Sequence, residues 1–350
     1  MNVYNYPTFE VIDTEDYKLL KSQDANYEFN KHNGTMKTWG KTKEEDAIKF
    51  PGPTILDLEI TTKCKGNCSY CYKSNNLHGK NMSYPAFQKI FDKLPKSLTQ
   101  VAFGADYDLT ANPDIWDMMI YAKDKGVIPN ITVGSIDDDI ANKLAAICGA
   151  VAVSFHDDVD TCYDSVQKLT DRGMDQVNIH FVLHEDSYQE ALDILKDIQY
   201  DDRLEKLNAI IFLSLKQKGR GEKFNTLSQD KFTEIVQYAF KYNIPIGFDS
   251  CSSLKFFKSL STDQYNLYKN LIMPCESTLE SSYINVDGEF FPCSFTEGTE
   301  GWEYGLSVKE CKDFTEDVWD NERVESFRKN LISTKENNCY QCRNCPIYTI

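Results

Sequence analysis

From residue 51 onward the chain alternates short, almost unbroken apolar runs with stretches of helical period, and this alternation limits the fold more than any other feature. The runs are Thr54–Ile60, Gln100–Phe103, Asn130–Val133, Ala150–Phe155, Gln176–Leu183 and Ala209–Leu215. Several are nearly continuous in Val, Ile, Leu and Phe, which suits parallel strands covered on both faces. Between them Phe87, Ile90, Phe91 and Leu94 recur at i, i+3, i+4 and i+7 behind Pro85. Phe232, Ile235, Val236, Ala239 and Phe240 mark another helix. Two more helices end in Lys123-Asp124-Lys125-Gly126 and Asp171-Arg172-Gly173, each with a cation in the last turn and glycine just past it. Strand-then-helix repeats predict an α/β fold with right-handed crossovers, and six of them predict a partial barrel rather than a closed eight-fold one.

The flanks read differently. Residues 1–50 are polar and mixed in charge and are expected to form an N-terminal extension with one short helix or strand at most. Residues 51–260 hold the barrel. After about residue 260, serine, acidic residues, glycine and cysteine dominate. There Ser282–Val286, Asp287-Gly288 and Glu289–Phe291 read as a β-hairpin. Residues 261–350 are expected to be a small domain organised by metal rather than by a large core.

The chain has twelve cysteines. The N-terminus lacks the basic start and apolar middle of a secretion signal, so a cytoplasmic location is expected, where thiols stay reduced. Metal binding or catalysis then explains grouped cysteines, while Cys148 and Cys162 read as buried small side chains. The net charge of −16 opposes binding to phosphate backbones or anionic lipid, so neither nucleic acid nor membrane is an expected partner.

Cys64, Cys68 and Cys71 follow the first strand with spacing Cys-x3-Cys-x2-Cys. In a parallel α/β fold the loops after strand C-termini carry function. Three thiolates on one loop hold three irons of a cubane and leave the fourth open to chelate S-adenosylmethionine (SAM). A zinc site with a remote fourth ligand is the alternative. This segment, with Tyr70 before the third cysteine and the strand Ile-Leu-Asp-Leu-Glu-Ile-Thr before the loop, resembles the signature of the radical SAM superfamily. The resemblance spans about residues 51–350. It implies a partial (β/α)6 barrel, a catalytic [4Fe–4S] cluster, reductive cleavage of SAM to a 5′-deoxyadenosyl radical, and an electron donor such as flavodoxin or ferredoxin.

The resemblance implies further contacts to SAM. Family members carry Gly-Gly-Glu after the second strand; here the place reads Phe103-Gly104-Ala105-Asp106-Tyr107-Asp108, with Asp106 or Asp108 in the role of the acid. Ser154 resembles the family's ribose-contacting serine, with His156 nearby. Asn178 and His180 alternate with apolar neighbours on the fifth strand and point to one face, read as the barrel lumen.

Cys275, Gly288 and Cys293, followed by Cys339, Cys342 and Cys345, resemble the auxiliary-cluster domains called SPASM and twitch. Six cysteines lie in residues 261–350, too few for two fully ligated cubanes. One twitch-like auxiliary [4Fe–4S] cluster is expected on Cys275, Cys293 and Cys345, with the fourth ligand from Cys342, Cys339 or Cys311; zinc is the alternative. Such domains are similar to those of enzymes that modify peptides. The expected substrate is therefore a peptide or protein side chain, with a small metabolite as the alternative and a non-catalytic iron–sulfur or zinc protein as the competing class. Cys251 follows an apolar run, Ile246-Gly247-Phe248, that reads as a seventh strand. It is a candidate hydrogen-atom donor to the substrate radical, a spare cluster ligand, or a buried small side chain.

Overall fold

The structure is a computed structural model that describes residues 1–332 except 44, 46, 48, 67 and 157, together with 343 and 345–348. It contains two sheets.

The N-terminal sheet is an antiparallel meander of β1 (Asn2–Asn5), β2 (Phe9–Asp13), β3 (Tyr17–Ser22), β4 (Asn26–Asn30) and β5 (Met36–Trp39). This corrects the expectation of one short element. Its inward residues recur with period two, as Phe9 and Val11, and Tyr27 and Phe29, and they close a small core with Leu20, Ala25 and Phe50. Polar residues at the outward positions hide that alternation. The meander packs on the N-terminal end of the barrel. There the buried Lys18 Nζ donates to Leu98 O at 2.7 Å, and Tyr27 Oη lies 3.2 Å from Thr99 Oγ1.

The second sheet contains seven parallel strands in chain order: β6 (Ile55–Glu59), β7 (Gln100–Gly104), β8 (Ile128–Val133), β9 (Ala150–Ser154), β10 (Val177–Leu183), β11 (Ala209–Ser214) and β12 (Ile246–Phe248). The crossovers are α1 (Tyr84–Phe91), α2 (Ile115–Asp124), α3 (Asp138–Ile147), α4 (Val159–Thr170), α5 (Tyr188–Asp197) and α6 (Gln229–Tyr242). The six runs read from sequence are therefore the six barrel strands, and the seventh is present. Side-chain caps fix several helix starts: Ser83, Asp137, Asp158 and Ser228 accept from backbone N–H groups, each contributing about 1 kcal/mol. On α6, Phe232, Ile235, Val236 and Ala239 form the buried stripe.

Among the described residues the barrel does not close. The second neighbour of β6 is β13 (Ser281–Ile284), running parallel to it, and the sheet continues through β14 (Glu289–Phe291) and β15 (Leu306–Ser307). Gly288 takes φ +79° at the hairpin turn, a conformation glycine adopts without steric cost. A gap remains between β12 and β13, beside α7 (Ser253–Lys258) and α8 (Thr262–Tyr268). The C-terminal region also corrects its expectation. Tyr283, Phe290, Phe291, Trp302, Phe314, Trp319 and Phe327, the last on α9 (Glu322–Ile332), belong to one apolar core continuous with the barrel. Widely spaced aromatics supply this core, which a count of serine and acids does not reveal. No helix among the described residues is long and apolar enough to cross a membrane.

Candidate active site

Strand alternation sets the lumen. On β6, Leu56 and Leu58 are buried in the core, so Ile55, Asp57 and Glu59 take the other face. On β10, Asn178, His180 and Val182 alternate with the buried Val177, Ile179, Phe181 and Leu183, as the sequence predicts. His180 pairs in register with Ser154, at the end of β9. Burial pushes the His180 imidazole down to about 4, so the ring is neutral at pH 7.

The loop carrying Cys64, Cys68 and Cys71 follows β6 at the C-terminal mouth of the barrel. Backbone bonds shape it: Cys64 N donates to Asn76 O at 3.0 Å and Cys71 N to Cys68 O at 3.3 Å. A side chain on Gly66 would begin 3.2 Å from Cys64 Sγ and 3.7 Å from Cys68 Sγ, so glycine keeps the space beside both thiols clear. Burial, then the charges of Cys71 and Cys64, push the Cys68 thiol up. The three sulfurs thus lie close enough to oppose one another's ionisation. Three such thiols fit the three-ligand set of an open cubane.

A second loop, after β11, pins the first. Arg220 Nε donates to Cys68 O at 2.9 Å, its Nη1 to Asn75 O at 3.1 Å and its backbone N to Cys71 O at 3.0 Å. Gly219 has φ +59°, and a Cβ there would lie 2.4 Å from Tyr72 O, so the approach requires glycine. Tyr70 Oη donates to Phe155 O at 3.2 Å and lies 3.0 Å from His156 Nδ1, which is 3.6 Å from Cys68 Sγ. The histidine that the sequence placed near Ser154 therefore sits against the cysteine loop.

The acids after β7 make hydrogen bonds within and beside their own loop. The Asp106 carboxylate accepts from the backbone N–H of Thr110 and of Ala111, both at 3.1 Å, so it shapes its own loop. Asp108 turns outward to Lys65 Nζ at 2.8 Å. Although burial opposes it, hydrogen bonds from Asp106, Lys65 and Thr110 hold the Asp108 carboxyl below the usual range. Gly104 ends β7, and a Cβ there would lie 3.3 Å from Glu59 Cα. Asn178 lies near the start of β10, toward the opposite end of the barrel from the cysteine loop, and accepts from Asn208 Nδ2 at 2.8 Å.

A cavity of about 850 Å³ occupies the gap between β12 and β13. Cys251, Cys275, Cys293 and Cys345 all line it. Cys251 hydrogen-bonds to Cys275; that contact, with Lys216 beside it, lowers the Cys251 thiol while the Cys275 thiol is raised. Burial, with the charges of Cys251 and Cys345, pushes Cys293 up to about 12. Four thiols from four segments therefore gather at one place. Cys251, which the sequence leaves as a hydrogen-atom donor, a spare ligand or a buried side chain, is brought to the cavity by the end of β12. Cys311 is elsewhere: its Sγ lies 3.1 Å from Val308 O, and it does not line the cavity. Cys339 and Cys342 lie outside the described residues. Cys148 and Cys162 are raised to about 12 by burial, in keeping with inert structural thiols.

The cavity and the cysteine loop share a wall. Phe295, in the cavity lining, packs on Tyr72 with ring centroids 4.6 Å apart. Next to it, Lys73 binds Glu297, lies 3.0 Å from Glu59 Oε1 and donates to Tyr283 Oη at 2.8 Å. This buried network ties the residues just after Cys71 to the β13–β14 hairpin.

Residues 275–346 match the SPASM family, an iron–sulfur cluster-binding domain. No curated protein matches the chain by sequence. Among solved structures, SuiB of Streptococcus suis bound to its precursor peptide SuiA aligns with a TM-score of 0.71 at 13% identity, over 93% of this chain and 92% of that one. SuiB bound to S-adenosylmethionine aligns with a TM-score of 0.70 at 13% identity, over 92% and 91%. At that identity the likeness is one of fold. The chain thus shares the fold of SuiB, a partial α/β barrel as expected from the sequence, with a segment at 275–346 that matches the SPASM model.

Proposed function

We propose that this protein is a radical SAM enzyme that modifies a peptide or protein side chain. The observation that carries the reading is the pairing of two thiol sets: three on the loop at the barrel mouth, four around the adjoining cavity. Cys64, Cys68 and Cys71 would hold the catalytic [4Fe–4S] cluster, and Cys251, Cys275, Cys293 and Cys345 one auxiliary [4Fe–4S] cluster. On this reading Cys251 would be the fourth auxiliary ligand and not a hydrogen-atom donor, because it lines the cavity beside Cys275 and Cys311 does not. The catalytic cluster, once loaded, would supply the electron for reductive cleavage of SAM.

The chain's own residues do the rest. Arg220 and Gly219 fix the loop, so that the thiols are placed before any ligand arrives. Ser154, Thr132 and the neutral His180 give the lumen polar contacts that carry no charge of their own. The gap between β12 and β13 gives a chain-like substrate room to enter from the side. SuiB, whose fold this chain shares, binds a precursor peptide, which favours a peptide over a metabolite. Oxygen-labile clusters suit a reducing cytoplasm with a flavodoxin- or ferredoxin-type donor. The test is anaerobic reconstitution with iron and sulfide, reduction with dithionite, and chromatography for 5′-deoxyadenosine from SAM. The expected result is its formation; its absence from a chain carrying its full iron would overturn the reading.

A further inference from the structure

Asp57 stands in the middle of β6, between the buried Leu56 and Leu58, and faces the cavity. Aspartate is disfavoured inside strands, and this one is exposed on the side that faces the cavity. Among the described residues no side-chain hydrogen bond or ion pair reaches this one. Glu276 lines the same cavity, its charge acts on Asp57, and its Oε2 is buried without a hydrogen-bond partner. Ser250 hydrogen-bonds to the Glu276 carboxyl, and the charge of Arg343 acts on it. Lys216 pairs with Asp249 and donates to Ser214 O, and Arg343 donates to the carbonyls of Pro274 and Cys275. Phe248, Phe256, Leu271 and Ile272 form apolar walls to the same space.

We propose that Asp57 and Glu276 receive a cationic group of the substrate, the ammonium or guanidinium of a lysine or arginine side chain. The Asp57 carboxyl and Oε2 of Glu276 supply the counter-charge, and the apolar walls take the aliphatic stem. This inference rests on the cavity being the substrate site proposed above, and it names the class of side chain that enters.

The test uses the cluster-loaded chain under anaerobic conditions with its clusters oxidised. Ligand-observed NMR at neutral pH compares pentan-1-amine with pentan-1-ol, which share a stem and differ in charge. The amine is expected to bind about tenfold or more tightly. Asp57→Asn should remove that preference, Asp57→Glu should keep much of it, and Glu276→Gln should weaken it. Equal binding of amine and alcohol to the wild type, or an undiminished preference in Asp57→Asn, overturns the proposal. Should Asp57→Asn not fold, an undiminished preference in Glu276→Gln overturns it instead. SAM cleavage measured in parallel separates the two claims. Lost cleavage with the amine preference intact defeats the functional reading, and intact cleavage with no preference defeats this one.

Discussion

Cys64, Cys68 and Cys71 come from one loop held by its own backbone and by Arg220, whereas Cys251, Cys275, Cys293 and Cys345 come from four segments that meet only in the folded chain. The first set is written into eight consecutive residues, and its spacing alone announces it. The second depends on where β12 ends, on the β13–β14 hairpin and on the last residues. A cluster on the loop therefore adds chemistry to a scaffold already built. A cluster on the second set cross-links distant parts of the chain, and closing long loops is where a metal clip stabilises most.

The largest expected difference follows from this. Cys275→Ala with Cys293→Ala should remove about four irons and lower the melting temperature of the reconstituted protein by about 5–15 °C. Replacing the three loop cysteines should shift it by only a degree or two. Calorimetry under anaerobic conditions compares the two, and equal shifts would break the distinction.

A smaller effect is expected at the pin between the loops. Arg220→Met removes charged donors to Cys68 O and Asn75 O. The loss is worth about 1.5–3 kcal/mol and should loosen the loop cluster roughly tenfold against a chelator, leaving the auxiliary iron in place. Iron release followed by absorbance separates the two pools.

The cavity adds a pH effect. Burial, helped by the charge of Glu276, raises the Asp57 carboxyl to about 7. The folded chain then holds a proton there that the unfolded chain releases near pH 4, so this group makes stability fall as pH rises from about 4 to about 7. Asp57→Asn should flatten that part of the stability profile of the apoprotein, as denaturant titrations across the range would record. Asp57 is exposed to the cavity, and an unchanged slope would mean that water there screens it fully.

The smallest expected effect is none. Cys311→Ala and Cys162→Ala should leave the iron content unchanged, because both thiols are buried away from the two sets. Iron analysis checks this, and a loss at Cys311 would redraw the second set.

What the sequence made legible follows the same division. The barrel strands were readable because parallel strands are apolar on both faces, and the cysteine loop because its ligands are neighbours in the chain. The meander was missed because its buried positions, such as Phe9, Val11, Tyr27 and Phe29, alternate with polar ones and never form a run. The loop bonds of Asp106 were not legible, because sequence cannot tell a carboxylate turned to its own loop from one turned to a ligand. Cys251 could be placed at the end of a seventh strand, yet only the open gap beside β13 decides that it meets Cys275.

The central claim is that the chain carries two separate iron sites, of which only the loop site cleaves SAM. Its most direct test is the variant with Cys64, Cys68 and Cys71 all replaced by alanine, reconstituted anaerobically and assayed for iron and for 5′-deoxyadenosine. The expected result is about four irons per chain, against about eight in the wild type, with no 5′-deoxyadenosine formed. Retention of about eight irons, loss of all iron, or undiminished 5′-deoxyadenosine would contradict the account.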